Sequence, residues 1–362
     1  MGLGDTKSHR YEFIDMSCNH PLKGFKVGIN PETGNDIIKV TPYKVDHLWR
    51  RSPKDKFEYI YDEKLSTSGI NYKNWVEIPC GKCISCRLKK SREWANRCML
   101  ELPYHEQSWF VTLTYDDDHL PTNIAFENGF FVENGTLVKK DLQDFFKRLR
   151  KNYKYDNHIK YYACGEYGSD EYTHRPHYHC IIFGLKLDDL TVYKTSRLGF
   201  NYYNSEFLNS VWPFGHVVIA DVSWDTCAYT ARYIMKKKFG LSAEEYEADN
   251  ILPEFTVMSL KPAIGYEYFK DHKSQIYDLD SISISTSRGG KTFKPPKYFD
   301  LKMKENEDDA SILEEVQTVR QEVAELNKRN KLKQTDLDYL SMLQVEEDLL
   351  KNRISSLKRK EI

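Results

Sequence analysis

The chain of 362 residues is long enough for two or three domains. Its acidic and basic residues nearly cancel, leaving a net charge of -1, so nucleic acid cannot be held through overall charge and only local basic patches qualify. No run of about 18 apolar residues offers a membrane span and no apolar signal region opens the chain, so no membrane span is expected.

Residues 1 to about 75, which include Cys18 and His20, carry few periodic segments and read as irregular. Three of the eight cysteines follow as Cys80-x-x-Cys83-x-x-Cys86, a spacing for a metal rather than for disulfides, which fits a reducing compartment. Three thiolates do not complete a tetrahedral zinc site; Cys18 is the first choice for the fourth ligand, then His20 or Cys98. An iron–sulfur cluster is the rival occupant. From Cys80 to Leu100 the cations Lys82, Arg87, Lys89, Lys90, Arg92 and Arg97 face only Glu93, a local patch suited to a polyanion. Leu88 to Leu102 reads as a helix with Trp94, Cys98 and Leu102 on one face. Trp109 to Tyr115 reads as a strand, and Leu137 to Arg150 as an amphipathic helix burying Leu142, Phe145, Phe146 and Leu149. His158 to Cys164 is a second strand, followed by Gly165-Glu166-Tyr167-Gly168.

Arg175-Pro176-His177-Tyr178-His179 then runs into Cys180-Ile181-Ile182-Phe183-Gly184, a buried strand ended by glycine. Side chains alternate along a strand, so His177 and His179 point the same way and offer two imidazoles to one cation. A strand at His216 to Ala220 leads to a helix from Trp224 to Lys238. There Tyr229 and Tyr233 share a face one turn apart, with Lys236, Lys237 and Lys238 following. Two histidines to hold a metal and two phenols to attack form a chemical proposal. The order of elements predicts an α+β fold, a mostly antiparallel sheet with helices on one face. Residues 241 to 304 are less regular. Ile312, Val316, Val319, Val323 and Leu326 step as a heptad seam, and Leu340, Leu343, Leu350, Ile354 and Leu357 line a second helix, a helical hairpin or coiled coil suited to self-association. Expected domains are 1–100, 101–240, 241–304 and 305–362. Gly289-Gly290-Lys291-Thr292 resembles the end of a phosphate-binding loop, but Ser285 stands where that loop needs glycine.

In company, these motifs resemble a rolling-circle replication initiator of the HUH endonuclease superfamily, most closely the initiators of gokushovirus-type microviruses. The resemblance runs from Ile78-Pro79-Cys80-Gly81-Lys82-Cys83 through Phe110-Val111-Thr112-Leu113-Thr114-Tyr115, Gly165 to Gly168, Arg175 to His179 and Tyr229 to Lys237, and on to Pro296-Lys297-Tyr298. It covers roughly residues 16 to 300. It implies an HUH-like sheet and a metal-dependent endonuclease that nicks and rejoins single-stranded DNA at the viral origin through a 5′-phosphotyrosine and a free 3′-OH. His177 and His179 would bind Mg²⁺ or Mn²⁺ with Glu166 as third ligand, Asp170 and Glu171 being the fallbacks. Tyr229 or Tyr233 would be the nucleophile, assisted by Lys236. Arg87, Lys89, Lys90, Arg92 and Arg175 would contact DNA, and Zn²⁺ would sit on the cysteines. The setting would be the host bacterial cytoplasm, with host polymerase and helicase as partners. The competing readings are a zinc-stabilised DNA-binding regulator without catalysis and a related HUH transposase or relaxase.

Overall fold

The computed structural model describes residues 17–61, 69–127, 129–168, 174–197, 199–232, 243–286 and 289–356. Two compact units emerge, one from Met1–Lys89 with Ala324–Ile362, the other from Lys90–Val323.

The first unit departs from the expected irregular segment. It holds β1 (Leu22–Ile29), β2 (Asp36–Pro42), β3 (His47–Arg50), β4 (Glu58–Ile60), β5 (Ile70–Tyr72) and β6 (Trp75–Ile78) in two three-stranded sheets, ordered β2-β1-β6 and β4-β3-β5. β1 is interrupted by Lys23, Gly24, Lys26 and Gly28, and β3 to β6 are only three or four residues long, so their period-2 signal is faint. Their apolar core centres on Phe25, Val45 and Leu48, a small set for so many ordered residues. Helix α1 (Ile84–Glu101) starts four residues earlier than expected, inside the cysteine repeat.

In the second unit the chain continues through β7 (Ser108–Tyr115), β8 (Thr122–Glu127), β9 (Phe130–Gly135), α2 (Lys139–Asn152), β10 (Lys160–Tyr167) and β11 (Pro176–Phe183). It then forms β12 (Thr191–Thr195), β13 (Asn201–Asn204), α3 (Glu206–Val211), β14 (Gly215–Asp221) and α4 (Trp224–Ala231). Seven strands make one antiparallel sheet, β12-β13-β14-β7-β11-β10-β15, closed at one edge by β15 (Phe255–Met258), which follows α5 (Glu244–Ala248). One face of this sheet, with Val111, Leu113, Tyr178, Cys180 and Ile182, is covered by Leu142, Phe145, Phe146 and Leu149 of α2 and by Leu208 and Val211 of α3. The other face, with Phe110, Tyr162, Ile181 and Phe183, is covered by Ala95 and Cys98 of α1 and by Cys227, Ala228 and Ala231 of α4. Helices therefore cover both faces, which corrects the expectation of one. The unbroken apolar run Cys180 to Phe183 is what a strand buried on both sides requires.

Beyond the sheet lie α6 (Tyr266–Leu279), β16 (Ile282–Thr286), β17 (Gly289–Phe293) and α7 (Lys297–Met303). With Leu313 they build a further core around Phe269, Ile276 and Phe299. Gly289 to Thr292 lie on β17, paired with β16, so they form a strand and not a loop that opens a helix. The tail forms two helices, α8 (Glu307–Leu332) and α9 (Tyr339–Ser356). Within the first unit Tyr339 donates to Glu77 at 2.9 Å and Asn19 to the Leu343 carbonyl at 3.3 Å, tying α9 to the N-terminal segment.

Candidate active site

Antiparallel register assembles the site. Glu166 on β10 pairs with His177 on β11, Cys164 with His179, and β7 brings Thr114 opposite His177 and Thr112 opposite His179. Because side chains alternate, Glu166, His177, His179 and Thr112 all point to the face covered by α1 and α4. Glu166 was expected just beyond a strand; it lies within β10, which extends to Tyr167. Its Oε1 is 3.2 Å from Nε2 of His177 and 3.3 Å from Nε2 of His179. The three donor atoms lie within 4.8 Å of one another, close enough to share one cation.

The surroundings fix both rings. His177 Nδ1 lies 3.0 Å from the Arg175 carbonyl oxygen. A carbonyl only accepts, so Nδ1 donates to it, which turns Nε2 toward Glu166. His179 Nδ1 lies 3.0 Å from Thr112 Oγ1, and its ring stacks on Phe110 with centroids 5.3 Å apart. Burial pushes the Glu166 carboxyl up, but its hydrogen bonds to His177 and His179 prevail and hold it well below the usual carboxylate range. An ionised carboxylate buried beside two imidazoles is a donor set that a divalent cation fits.

Helix α4 delivers a phenol to this cluster. Ser223 and Thr226 cap it reciprocally, and Cys227, Ala228 and Ala231 bury its inner face. The hydroxyl of Tyr229 donates to Glu166 Oε1 at 3.4 Å, and its ring meets His179 edge-on at 5.0 Å.

The first unit holds a separate cluster. The sulfurs of Cys18, Cys80, Cys83 and Cys86 lie within 4.8 Å of one another, with Cys18 Sγ 3.8 Å from Cys83 Sγ. Gly81, at φ +74°, makes the turn that lets the Lys82 and Cys83 amides donate to Cys80 Sγ, at 3.4 and 3.3 Å. The Cys80 amide donates to Cys18 Sγ at 3.2 Å. Hydrogen bonds from Cys18 and Cys86 hold the Cys83 thiol well below its ordinary range, while bonding to Cys83 pushes Cys18 up. His20 pairs instead with Glu347 at 2.9 Å, and Cys98 lies buried against α4.

A family model described as replication-associated protein ORF2/G2P matches residues 108–238, the stretch that carries Glu166, His177, His179 and Tyr229. The replication-associated protein ORF2 of Spiroplasma virus 4 is 34% identical over 324 residues, spanning 88% of this chain and 96% of that one. The chain belongs to the replication-associated protein family of gokushovirus-type microviruses. Within that family, the replication-associated protein VP4 of Bdellovibrio phage phiMH2K is 30% identical over 229 residues, 63% of this chain and 68% of its own. The replication-associated protein ORF4 of Chlamydia phage 1 is 31% identical over 233 residues, 61% and 52%. No solved structure matches.

Of the other residues expected to serve this replication-associated protein, Lys89, Lys90 and Arg92 are exposed on α1 and Arg87 is half-buried. Arg175 pairs with Asp117 at 2.7 Å. Tyr233, Lys236, Asp170 and Glu171 lie outside the described residues. Sequence reasoning missed Thr112. Among the described residues no helix is long and apolar enough to cross a membrane.

Proposed function

We propose that this replication-associated protein nicks single-stranded DNA at the viral origin and rejoins it by tyrosine transesterification on an HUH-like sheet. The observation that carries this reading is the Tyr229 hydroxyl lying 3.4 Å from a carboxylate oxygen shared by His177 and His179. Glu166, His177 and His179 would hold Mg²⁺ or Mn²⁺, which when bound polarises the scissile phosphate and orients it for in-line attack. Tyr229 releases its phenolic proton past Glu166 to solvent, and its oxygen forms a bond to phosphorus as the bond from phosphorus to the 3′-oxygen breaks. The departing oxygen takes up a proton, leaving a free 3′-OH and a 5′-phosphotyrosine. The phosphodiester energy is kept, so rejoining needs no ATP. Tyr233 serves as the second nucleophile in alternate rounds, and Lys236 lowers the cost of the phenolate. Exposed Lys89, Lys90 and Arg92, with Arg87 and Arg175, hold the DNA backbone. Host polymerase and helicase complete replication in the bacterial cytoplasm, and the exposed apolar residues Ile312, Val319, Val323 and Leu326 on α8 suit self-association.

The cysteines would hold structural zinc. A zinc–sulfur bond of about 2.3 Å makes the edge of a tetrahedron roughly 3.8 Å, the spacing found between Cys18 and Cys83. A cubane would place each sulfur on a different iron, which suits wider spacing than 4.8 Å across the whole set.

Circular single-stranded origin DNA with Mn²⁺ tests the reading. A covalent protein–DNA adduct is expected, located by mass spectrometry on Tyr229 or Tyr233. Phenylalanine at one position leaves single cleavage at least partly intact and impairs successive rounds; the double substitution abolishes the adduct. Absence of any adduct from the unaltered protein would overturn nicking, and an adduct confined to one tyrosine in every variant would overturn alternation.

A further inference from the structure

The Glu166–His177–His179 cluster lies at one end of a row that opens to solvent. Tyr162, Ile181, Phe110 and Ala220 pair across β10, β11, β7 and β14 and lie under α1 and α4. Side chains alternate along each strand, so four residues further on the same face the row reads Glu166, His177, Thr114 and His216. Packing on β14 agrees: Val217 and Ile219 lie in the core on the opposite face, under α2 and α3, whereas Ala220 lies under α4. Exposure rises along this row. The side chains of Glu166 and His177 are 4 and 17% exposed, Thr114 is half-buried and His216 is exposed. The row is closed at Glu166 and open at His216, with β7 and β14 as the floor of its open side.

The chemistry of that floor selects its occupant. His216 is not one of the three donors that lie within 4.8 Å of one another. Two strand spacings, about 9.5 Å, separate its backbone from that of His177. The Thr114 hydroxyl donates to the His216 carbonyl at 3.3 Å and so ties β14 to β7 at this row. The carboxylate of Asp116, two residues beyond Thr114, is taken up by the His119 ring at 2.7 Å. An imidazole offers an N–H donor in either tautomer. An exposed donor on the same face as a phosphodiester site, one short step along the sheet, suits a second phosphate of the same strand.

We propose that the DNA strand passes from the metal cluster across β7 onto β14, and that His216 donates to a phosphate adjoining the scissile one. This rests on the nicking reading above. His216 binds a phosphate that does not react, and thereby fixes the register of the strand over the cluster.

Anisotropy of a labelled single-stranded origin oligonucleotide tests it, with Mn²⁺ and the full chain carrying Tyr229→Phe and Tyr233→Phe so that binding is read without cleavage. Adding His216→Ala weakens binding about tenfold, the worth of one hydrogen bond to a charged group. His216→Gln, which keeps an N–H donor, retains most of the affinity. Neutral methylphosphonates placed one at a time cost the parent chain about tenfold at the contacted phosphate. They cost His216→Ala nothing further there, because the partner is already gone. A merely structural role would weaken every oligonucleotide alike and show no such coupling. His158→Ala, an exposed histidine beside the far end of β10, leaves affinity unaltered and serves as control. Absence of coupling at every phosphate, while the unaltered protein forms its covalent adduct, overturns the contact and leaves nicking intact. Coupling at one phosphate, with no adduct from the unaltered protein, leaves the contact standing and removes nicking. Equal weakening by His158→Ala would mean a general loss of attraction and also overturn the proposal.

Discussion

The cysteine cluster and the Glu166–His177–His179 site both gather metal-binding side chains, and they do so in opposite ways. Three of the four sulfurs come from one seven-residue stretch, and their nearest polar company is backbone: the amides of Cys80, Lys82 and Cys83. All four ligands are protein sulfurs, which leaves no position for a substrate. The second site draws on three strands and a helix, uses one carboxylate and two imidazoles, and has a phenol 3.4 Å away. Three protein donors leave coordination positions open. A closed, soft, local donor set suits a structural metal; an open, harder, long-range one suits an ion that takes part in a reaction.

The largest effect expected is loss of the cysteine metal. The unit it sits in has a core centred on Phe25, Val45 and Leu48, and structural zinc contributes about 10–16 kcal/mol in comparable small modules. Elemental analysis should find stoichiometric zinc in the unaltered chain and none in Cys83→Ser, whose segment before Lys89 should open to proteolysis. A metal-free chain that resists protease equally well would remove the structural role. A brown protein absorbing in the visible would replace zinc by an iron–sulfur cluster.

Next in size, His177→Ala and His179→Ala should each reduce nicking by about a thousandfold or more, since the charge they hold is worth several kcal/mol in the transition state. Hydrogen exchange and oligonucleotide binding should change little, in contrast to Cys83→Ser. Full activity of either variant at saturating Mn²⁺ would break the contrast between the two sites.

The reactive site is also expected to keep its scaffold without any metal, because a buried ion pair holds it. Glu101 of α1 accepts from Lys160 of β10 and from His105, both at 2.7 Å, and from the Gly265 amide at 2.6 Å. Lys160→Met leaves a buried carboxylate short of a partner and should cost about 3–5 kcal/mol, read as faster exchange of β10 and β11 amides. Burial pushes the Glu101 carboxyl up, but these hydrogen bonds prevail and lower it. Its folded value is depressed, so its stabilisation is complete above the unfolded carboxyl pKa of about 4.3 and is lost as pH falls through the lower folded value. Exchange rates in Lys160→Met equal to those of the unaltered protein would show that metal or packing alone supports the strands.

How much of this was legible depended on how local each signal is. The cysteine repeat and the His177–His179 pair are written at fixed short spacing, and Glu166 follows once β10 and β11 are taken as antiparallel neighbours. That Cys18 lies beside the other three cysteines, while His20 pairs with Glu347 and Cys98 packs with Cys227, is a tertiary fact that spacing does not carry. The N-terminal strands escaped notice because lysine and glycine break the alternation of β1 and because β3 to β6 are only three or four residues long. The β8–β9 hairpin escaped because its outward face is apolar, which inverts the usual alternation. The two-sided covering of the sheet was signalled by Cys180 to Phe183, but that run alone does not tell a second helix layer from a deeper first one.

Thr112 was missed because threonine in a strand reads as β-propensity, and its expected effect is the smallest and most specific. Its Oγ1 lies 3.0 Å from Nδ1 of His179, so it helps hold the ring with Nε2 toward Glu166. Loss of such an outer partner typically weakens metal binding 10–100-fold. Thr112→Val keeps the shape and removes the oxygen; Thr112→Ser keeps the oxygen. Calorimetric titration of DNA-free protein with Mn²⁺ should show weakened binding for valine and near-normal binding for serine, while zinc content stays constant in both. Raising Mn²⁺ should restore adduct formation in the valine variant, as expected of a residue that positions a ligand rather than reacts. The cysteine cluster offers no counterpart to this experiment, because its supporting donors are main-chain amides that substitution does not remove. Valine binding Mn²⁺ as tightly as threonine would mean that stacking on Phe110 alone sets the His179 ring.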